Sequence, residues 1–189
     1  MFSPKSSTFQ TETGAMDLRA HRRISVFKTA LIYPVLDEAS FTITNISNHG
    51  VNGHTPFSLS LREQVHFSFD GTDFLTAEVR WTNGQQAGLL TEDKLLWSGA
   101  NDALLEKLTD THEIRESRLT VEIAATLLKS APAIVGTVRN ISDQGMMIEV
   151  GSLREGTRLL VKARGKGTRM GRVQWQSAGM VGVFFEGGI

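Results

Sequence analysis

Three arginines fall within five residues near the start of the chain: Arg19, Arg22 and Arg23, in RAHRR, with the next carboxylate downstream at Asp37. A guanidinium offers forked donors that fit phosphate oxygens, a flat cation that stacks on aromatic faces, and a bidentate match to O6 and N7 of guanine. A lysine would serve only the phosphate, as a point charge. Such a cluster either stands in solvent as a charged arm or waits for a ligand that is both anionic and flat.

A second polar group stands one strand later. Asn45-Ile46-Ser47-Asn48-His49-Gly50 combines an amide acceptor, a hydroxyl and a glycine at the end of a β-branched run. Read locally, this is a polar turn. Read beside the arginines, Asn45 can accept from guanine N1–H or N2–H, Ser47 can donate to a phosphate or hold the turn, and Gly50 lets backbone come close.

The same words occur twice. Asn140-Ile141-Ser142-Asp143-Gln144-Gly145 repeats the motif at an offset of 140 − 45 = 95, and Arg118 matches Arg23 at the same offset. Val79-Arg80-Trp81 matches Val173-Gln174-Trp175, and Ala87-Gly88-Leu89 matches Val181-Gly182-Val183, both at 94. Ordered landmarks at a nearly fixed offset mark two copies of one unit. The position matching Arg19 in the second copy is Ile114, so the second copy lacks one arginine of the arm and is degenerate in it.

The elements that must carry these residues are short strands. Residues 40–46, 64–69 and 74–81 are rich in β-branched and aromatic types and partly alternating, with Asp70-Gly71 and Asn83-Gly84 as hairpin turns. The second copy offers 133–141, 146–150, 158–163 and 170–176, with a Gly165-Lys166-Gly167 turn. Closely spaced short strands predict a mainly all-β fold of two small antiparallel barrels. A helix is predicted from the Asn101-Asp102 cap through Leu108, joining them. The expected division is a polar tail over 1–16, a first domain over 17–98, a linker over 99–112 and a second domain over 113–189.

Composition bounds the rest. The 189 residues include 20 Lys plus Arg against 20 Asp plus Glu, so affinity for a polyanion must be local. There is no cysteine, hence no disulfide framework or thiolate metal site. The five histidines show no zinc-type spacing, and no nucleophile elbow or phosphate-binding glycine loop opens a helix. No catalytic residue, metal or cofactor is expected. The N-terminus lacks the apolar stretch of a secretory signal, and no segment is apolar over the ~20 residues of a membrane helix, so a cytoplasmic protein with no membrane span is expected. Lys162, Arg164, Lys166, Arg169 and Arg172 gather at one hairpin, without the interleaved aromatics of a nucleic-acid platform. Nucleic acid is therefore not the expected partner.

Together the arm, the Asx-x-Ser-x-x-Gly motif and the Val-x-Trp strand followed by a Gly-hydrophobic strand resemble the PilZ family, bacterial domains that bind the second messenger cyclic di-GMP. The resemblance covers most of residues 17–92. It implies ligand contacts from Arg19, Arg23, Asn45, Ser47 and Gly50, with Arg22 assisting, and weaker candidates at Arg118, Asn140, Ser142 and Gly145. It also places Trp175, in the Val-x-Trp pattern, in the core. Asn45 stands where many members have a charged Asp, which implies softer recognition. Leu18, where other members carry an arginine, implies one ligand molecule rather than a stacked pair. Fixing the arm costs about 1–2 kcal/mol per residue, against roughly 1–3 kcal/mol for each bidentate contact, so affinity near micromolar is expected. The resemblance implies a signalling receptor acting on a protein target, possible also as a homodimer. The alternative is a ligand-free adaptor that binds proteins.

Overall fold

The computed structural model describes residues 24–91, 95, 118–163 and 167–187, and among these every regular element is a strand. The strands are β1 (Ile24–Ser47), β2 (Gly50–His54), β3 (Gln64–Ser68), β4 (Asp73–Asn83), β5 (Gln86–Thr91), β6 (Leu119–Ser130), β7 (Ile134–Ile141), β8 (Gly145–Glu149), β9 (Arg158–Ala163), β10 (Thr168–Ser177) and β11 (Met180–Phe185). All pairings are antiparallel, so the expected all-β class holds. The arm, including Arg19, Arg22 and Arg23, and the helix expected over 101–108 lie outside the described residues.

The sheet order is β2-β5-β4-β3-β6-β1-β7-β8-β11-β10-β9, and two further pairings, β1 with β2 and β1 with β9, close it into two rings that share β1. The C-terminal half of β1 joins β2, β5, β4, β3 and β6. Its N-terminal half joins β7, β8, β11, β10 and β9. The rings also touch where Phe74 and Asp73 of β4 pair with Thr168 and Arg169 of β10.

The rings do not follow the two sequence units expected at 17–98 and 113–189. Residues Ile24 to Ile32 of β1 pair with β7, and Ala30 to Pro34 pair with β9, both strands of the second repeat. In return β6, which opens the second repeat, pairs with Val35 to Ile46 of β1 and with β3, in the first-repeat ring. Each repeat therefore sends its opening strand into the other's ring. The first repeat runs straight through Pro34 as one strand, whereas the second turns at Ala131-Pro132-Ala133 between β6 and β7. The Ala131 N–H donates to the Pro34 carbonyl at 2.8 Å, joining the two crossing points.

Each ring has its own apolar interior. Phe41, Ile43, Val65, Phe67, Val79 and Leu127 fill the first, and Ile32, Ile148, Leu159, Val161, Val173 and Val181 fill the second. A third cluster of Tyr33, Phe74, Leu128, Leu160 and Met170 lies where the rings meet. His66 is fully buried beside it, edge-on to Tyr33 at 4.7 Å, and its ring nitrogens contact the Ser130 and Thr76 hydroxyls at 3.1 and 3.2 Å. Burial, reinforced by the charge of Lys162, lowers its pKa from 6.5 to about 4, so the ring is neutral.

Candidate functional site

The polar motifs sit on bulges. In β1 the register slips between Ile43 and Asn45, so Thr44 and Asn45 both leave the core before Ile46 returns to it. In β7 the same slip falls between Val138 and Asn140. A strict two-residue alternation would have put Asn45 inside and Ile46 outside. The bulge is what turns the amide outward.

Beyond the bulge the chain makes a tight corner. The Ser47 hydroxyl donates to the Gly50 carbonyl at 3.3 Å, and Ser142 donates to Gly145 at the same distance. Of the two roles the sequence leaves open for Ser47, the structure shows the turn-holding one. A Cβ on Gly50 would lie 2.8 Å from the Leu89 carbonyl oxygen, and one on Gly145 2.2 Å from that of Val183, so close backbone approach accounts for the glycine in each motif.

A row of directly opposed residues crosses the outside of the first ring. Trp81 on β4 faces Gly88 on β5, Gly88 faces Asn52 on β2, Asn52 faces Asn45 on β1, and Asn45 faces Thr120 on β6. The second ring repeats the row as Trp175, Gly182, Met147, Asn140 and Ser25. Each tryptophan lies over its glycine: a Cβ on Gly88 would meet Trp81 Nε1 at 2.0 Å, and one on Gly182 would meet Trp175 Nε1 at 2.1 Å. Trp175 is therefore not a core residue as its pattern implied. Both indoles are 39% exposed, because bulges at Arg80 and Gln174 turn them outward.

All of this row but Thr120 lines a cleft of about 190 Å³ in the first ring, walled also by Ser47, Gly50, Arg80 and Arg118. Of the sequence candidates it gathers Asn45, Ser47 and Gly50 with Arg118, the arginine of the other repeat. Sequence reasoning missed Arg80 and Trp81 as cleft residues. The signal was present in the glycine that faces each tryptophan. The cleft brings together two guanidiniums, amide groups and an indole face, a set able to hold an anionic, planar ligand.

A second cleft, of about 240 Å³, lies at the corner of the other ring. It is lined by Ile24, Ile141, Ser142, Asp143, Met146, Val161, Ala163, Gly167, Arg169 and Phe185, and is mostly apolar. Arg169, one of the cations of the basic hairpin, lies over the Phe185 ring at 4.7 Å. No group of His, Asp and Glu with metal-binding geometry occurs among the described residues, and they contain no helix long and apolar enough to cross a membrane. No protein-family model, curated protein or solved structure matches the chain.

Proposed function

We propose that the protein is a cyclic di-GMP receptor that carries out no reaction of its own and passes ligand occupancy to a protein target. The observation that supports this most directly is the first-ring cleft, where Arg118, just before β6, lines the same cleft as the Asn-x-Ser-x-x-Gly corner of Asn45, Ser47 and Gly50. The PilZ resemblance calls for arginine beside this corner, with Arg19 and Arg23 as the expected pair. Trp81 adds an aromatic face for a purine, and Arg80 a second cation. The Ser47 hydroxyl in its wall is engaged with the Gly50 carbonyl, and no His, Asp or Glu stands among the described residues that line it.

Titration calorimetry tests the reading. Saturable binding of cyclic di-GMP near micromolar, about −8 kcal/mol, is expected, with GTP and cyclic di-AMP binding at least tenfold more weakly. Absence of saturable binding up to about 100 µM, roughly −5 kcal/mol, would overturn it.

The adaptor reading draws on one observation. Leu36, Ile134 and Val135, at the crossing of β1 and the start of β7, are large, apolar and exposed. They offer a surface through which a receptor, or an adaptor without ligand, contacts a protein.

A further inference from the structure

Both rings carry the same row of opposed residues, yet two places in and beside the row differ in chemistry. Asn52, which faces Asn45 and Gly88 in the first ring, has Met147 as its counterpart in the second, since 52 + 95 = 147. Arg80, on the bulge beside Trp81, has Gln174, since 80 + 94 = 174. The frame around both places is kept. Each row retains a tryptophan over a glycine and an asparagine just past a bulge. The two exchanges therefore change what the row can bind on a common backbone.

The first exchange removes an amide. Asn45 and Asn52 are directly opposed on adjacent strands, where Cβ atoms stand about 4.5–5.5 Å apart, and both line the first cleft. In the second row the Met147 sulfur offers no donor and only a weak acceptor, and the Asn140 amide is turned toward it, Nδ2 donating to Sδ at 3.9 Å. Two neighbouring amides suit guanine in particular. One donates to O6 while accepting from N1–H, and the other accepts from N2–H. Adenine presents one donor and one acceptor on that edge, which a single amide already meets.

The second exchange removes a cation whose present partner holds it loosely. Arg80 Nη1 donates to Glu78 Oε1 at 3.2 Å, but the two side chains are 59% and 46% exposed, so water and salt screen the pair. A phosphodiester in the cleft offers the same guanidinium two oxygens at once, a better match than one exposed contact. Gln174 carries no charge to offer in return.

We infer that Asn52 and Arg80 determine the specificity of the first cleft: Asn52 reads guanine together with Asn45, Arg80 releases Glu78 to take a phosphate, and the ligand occupies the first ring alone. This rests on the cyclic di-GMP reading above and adds to its site two residues outside the Asn-x-Ser-x-x-Gly motif. Glu78 becomes a resident competitor of the ligand, which sets how tightly the cleft binds. Met147 and Gln174 leave the second row without either recognition group.

Calorimetry on the full chain with cyclic di-GMP and cyclic di-AMP tests the two roles separately. Asn52→Met is expected to weaken cyclic di-GMP about tenfold and cyclic di-AMP by no more than about twofold, so selectivity falls. Arg80→Gln is expected to weaken both about tenfold and to flatten the salt dependence of binding, with Arg80→Lys restoring that dependence. Glu78→Gln, which frees Arg80, is expected to tighten both about twofold to fivefold, a gain that a purely structural Arg80 would not give. Methionine and glutamine already stand at these places in the second row, so the fold accommodates them; should Asn52→Met not unfold cooperatively, Asn52→Ser repeats the test. Asn140→Ala and Met147→Ala are expected to leave affinity within about twofold, with one ligand bound per chain. If the wild type binds and either Asn52→Met or Arg80→Gln binds as tightly, or if Asn140→Ala weakens binding about tenfold, the assignment is overturned and the receptor reading stands. Glu78→Gln binding no tighter than wild type overturns the competition. If the wild-type chain does not bind cyclic di-GMP, the receptor reading falls, and the assignment falls with it.

Discussion

Asn45 lines the same cleft as Arg118, although the two belong to different repeats. They meet because β1 and β6 run side by side, with Asn45 opposite Thr120 and Ile46 opposite Leu119. A cleft of this kind cannot form from residues 17–98 alone, which lack β6, nor from 113–189 alone, which lack the half of β1 that pairs with β7 and β9.

Neither repeat should therefore fold by itself. A fragment ending at residue 110 keeps β1 to β5 but leaves β1 and β3 without β6, exposing unpaired edges. A fragment starting at 111 loses the strand between β7 and β9. Each alone is expected to lack a cooperative thermal transition, and an equimolar mixture is expected to recover one. A sharp monomeric transition in the first fragment alone would show that the exchange is dispensable.

The buried His66 makes stability depend on pH. Its folded pKa, about 4, lies below the ordinary 6.5, mainly because burial disfavours the charged ring and secondarily because of Lys162. The unfolded chain then binds more protons than the folded one between these values, so stability is full above about pH 6.5 and falls as pH drops toward 4. The loss attributable to this group is on the order of 3 kcal/mol. Denaturant titrations from pH 7.5 to 4.5 should show that decline, and the His66 ring protons should show no titration in NMR above about pH 5. A ring that titrates near 6.5 would contradict both.

Much of the fold was legible because it is written in short-range pattern. The strands predicted at 158–163 and 64–69 appear as Arg158–Ala163 and Gln64–Ser68. Matching bulges stand at Thr44 and Arg139, and at Arg80 and Gln174. The exchange was not legible. A hairpin folded back at Val35 and a strand running straight through Pro34 place the same side chains inside and outside, so alternation does not separate them. Proline at 34 even argues for a break. What decides is a long-range matter, the pairing of Pro34 with Leu159 and the bond from Ala131 to its carbonyl. The outward tryptophans were missed for a different reason: a one-residue bulge reverses the face, and it shows in the sequence only through the glycine opposite.

Arg158 on β9 joins the crossing strand to the end of β11. It donates to Glu38 on β1 at 2.6 Å and to Glu186, just beyond β11, at 2.9 Å, and Glu186 also meets Arg172 at 2.7 Å. These groups are partly exposed, which keeps each pair within about 1 kcal/mol, but a shared network holds better than isolated pairs. Arg158→Ala is expected to cost about 1–2 kcal/mol in chemical denaturation, with the difference shrinking in high salt. A cost that does not change with salt would assign Arg158 a packing role instead.

The pairs Trp81 over Gly88 and Trp175 over Gly182 give the two rings separate optical reporters. In each, the indole occupies the space where a Cβ would stand, at 2.0 and 2.1 Å from Nε1. Alanine there forces the indole away, and such overpacking costs about 1–3 kcal/mol. Gly88→Ala should also disturb the first cleft, because Trp81 and Gly88 both line it, whereas Gly182→Ala acts on the row that contains Asn140. Both variants are expected to red-shift tryptophan emission by freeing an indole into water. If the first cleft uses Trp81 as a purine platform, cyclic di-GMP quenches tryptophan emission in the wild-type and Gly182→Ala chains and does so less in Gly88→Ala. Emission unchanged by either substitution would mean that the indoles do not lie over the glycines.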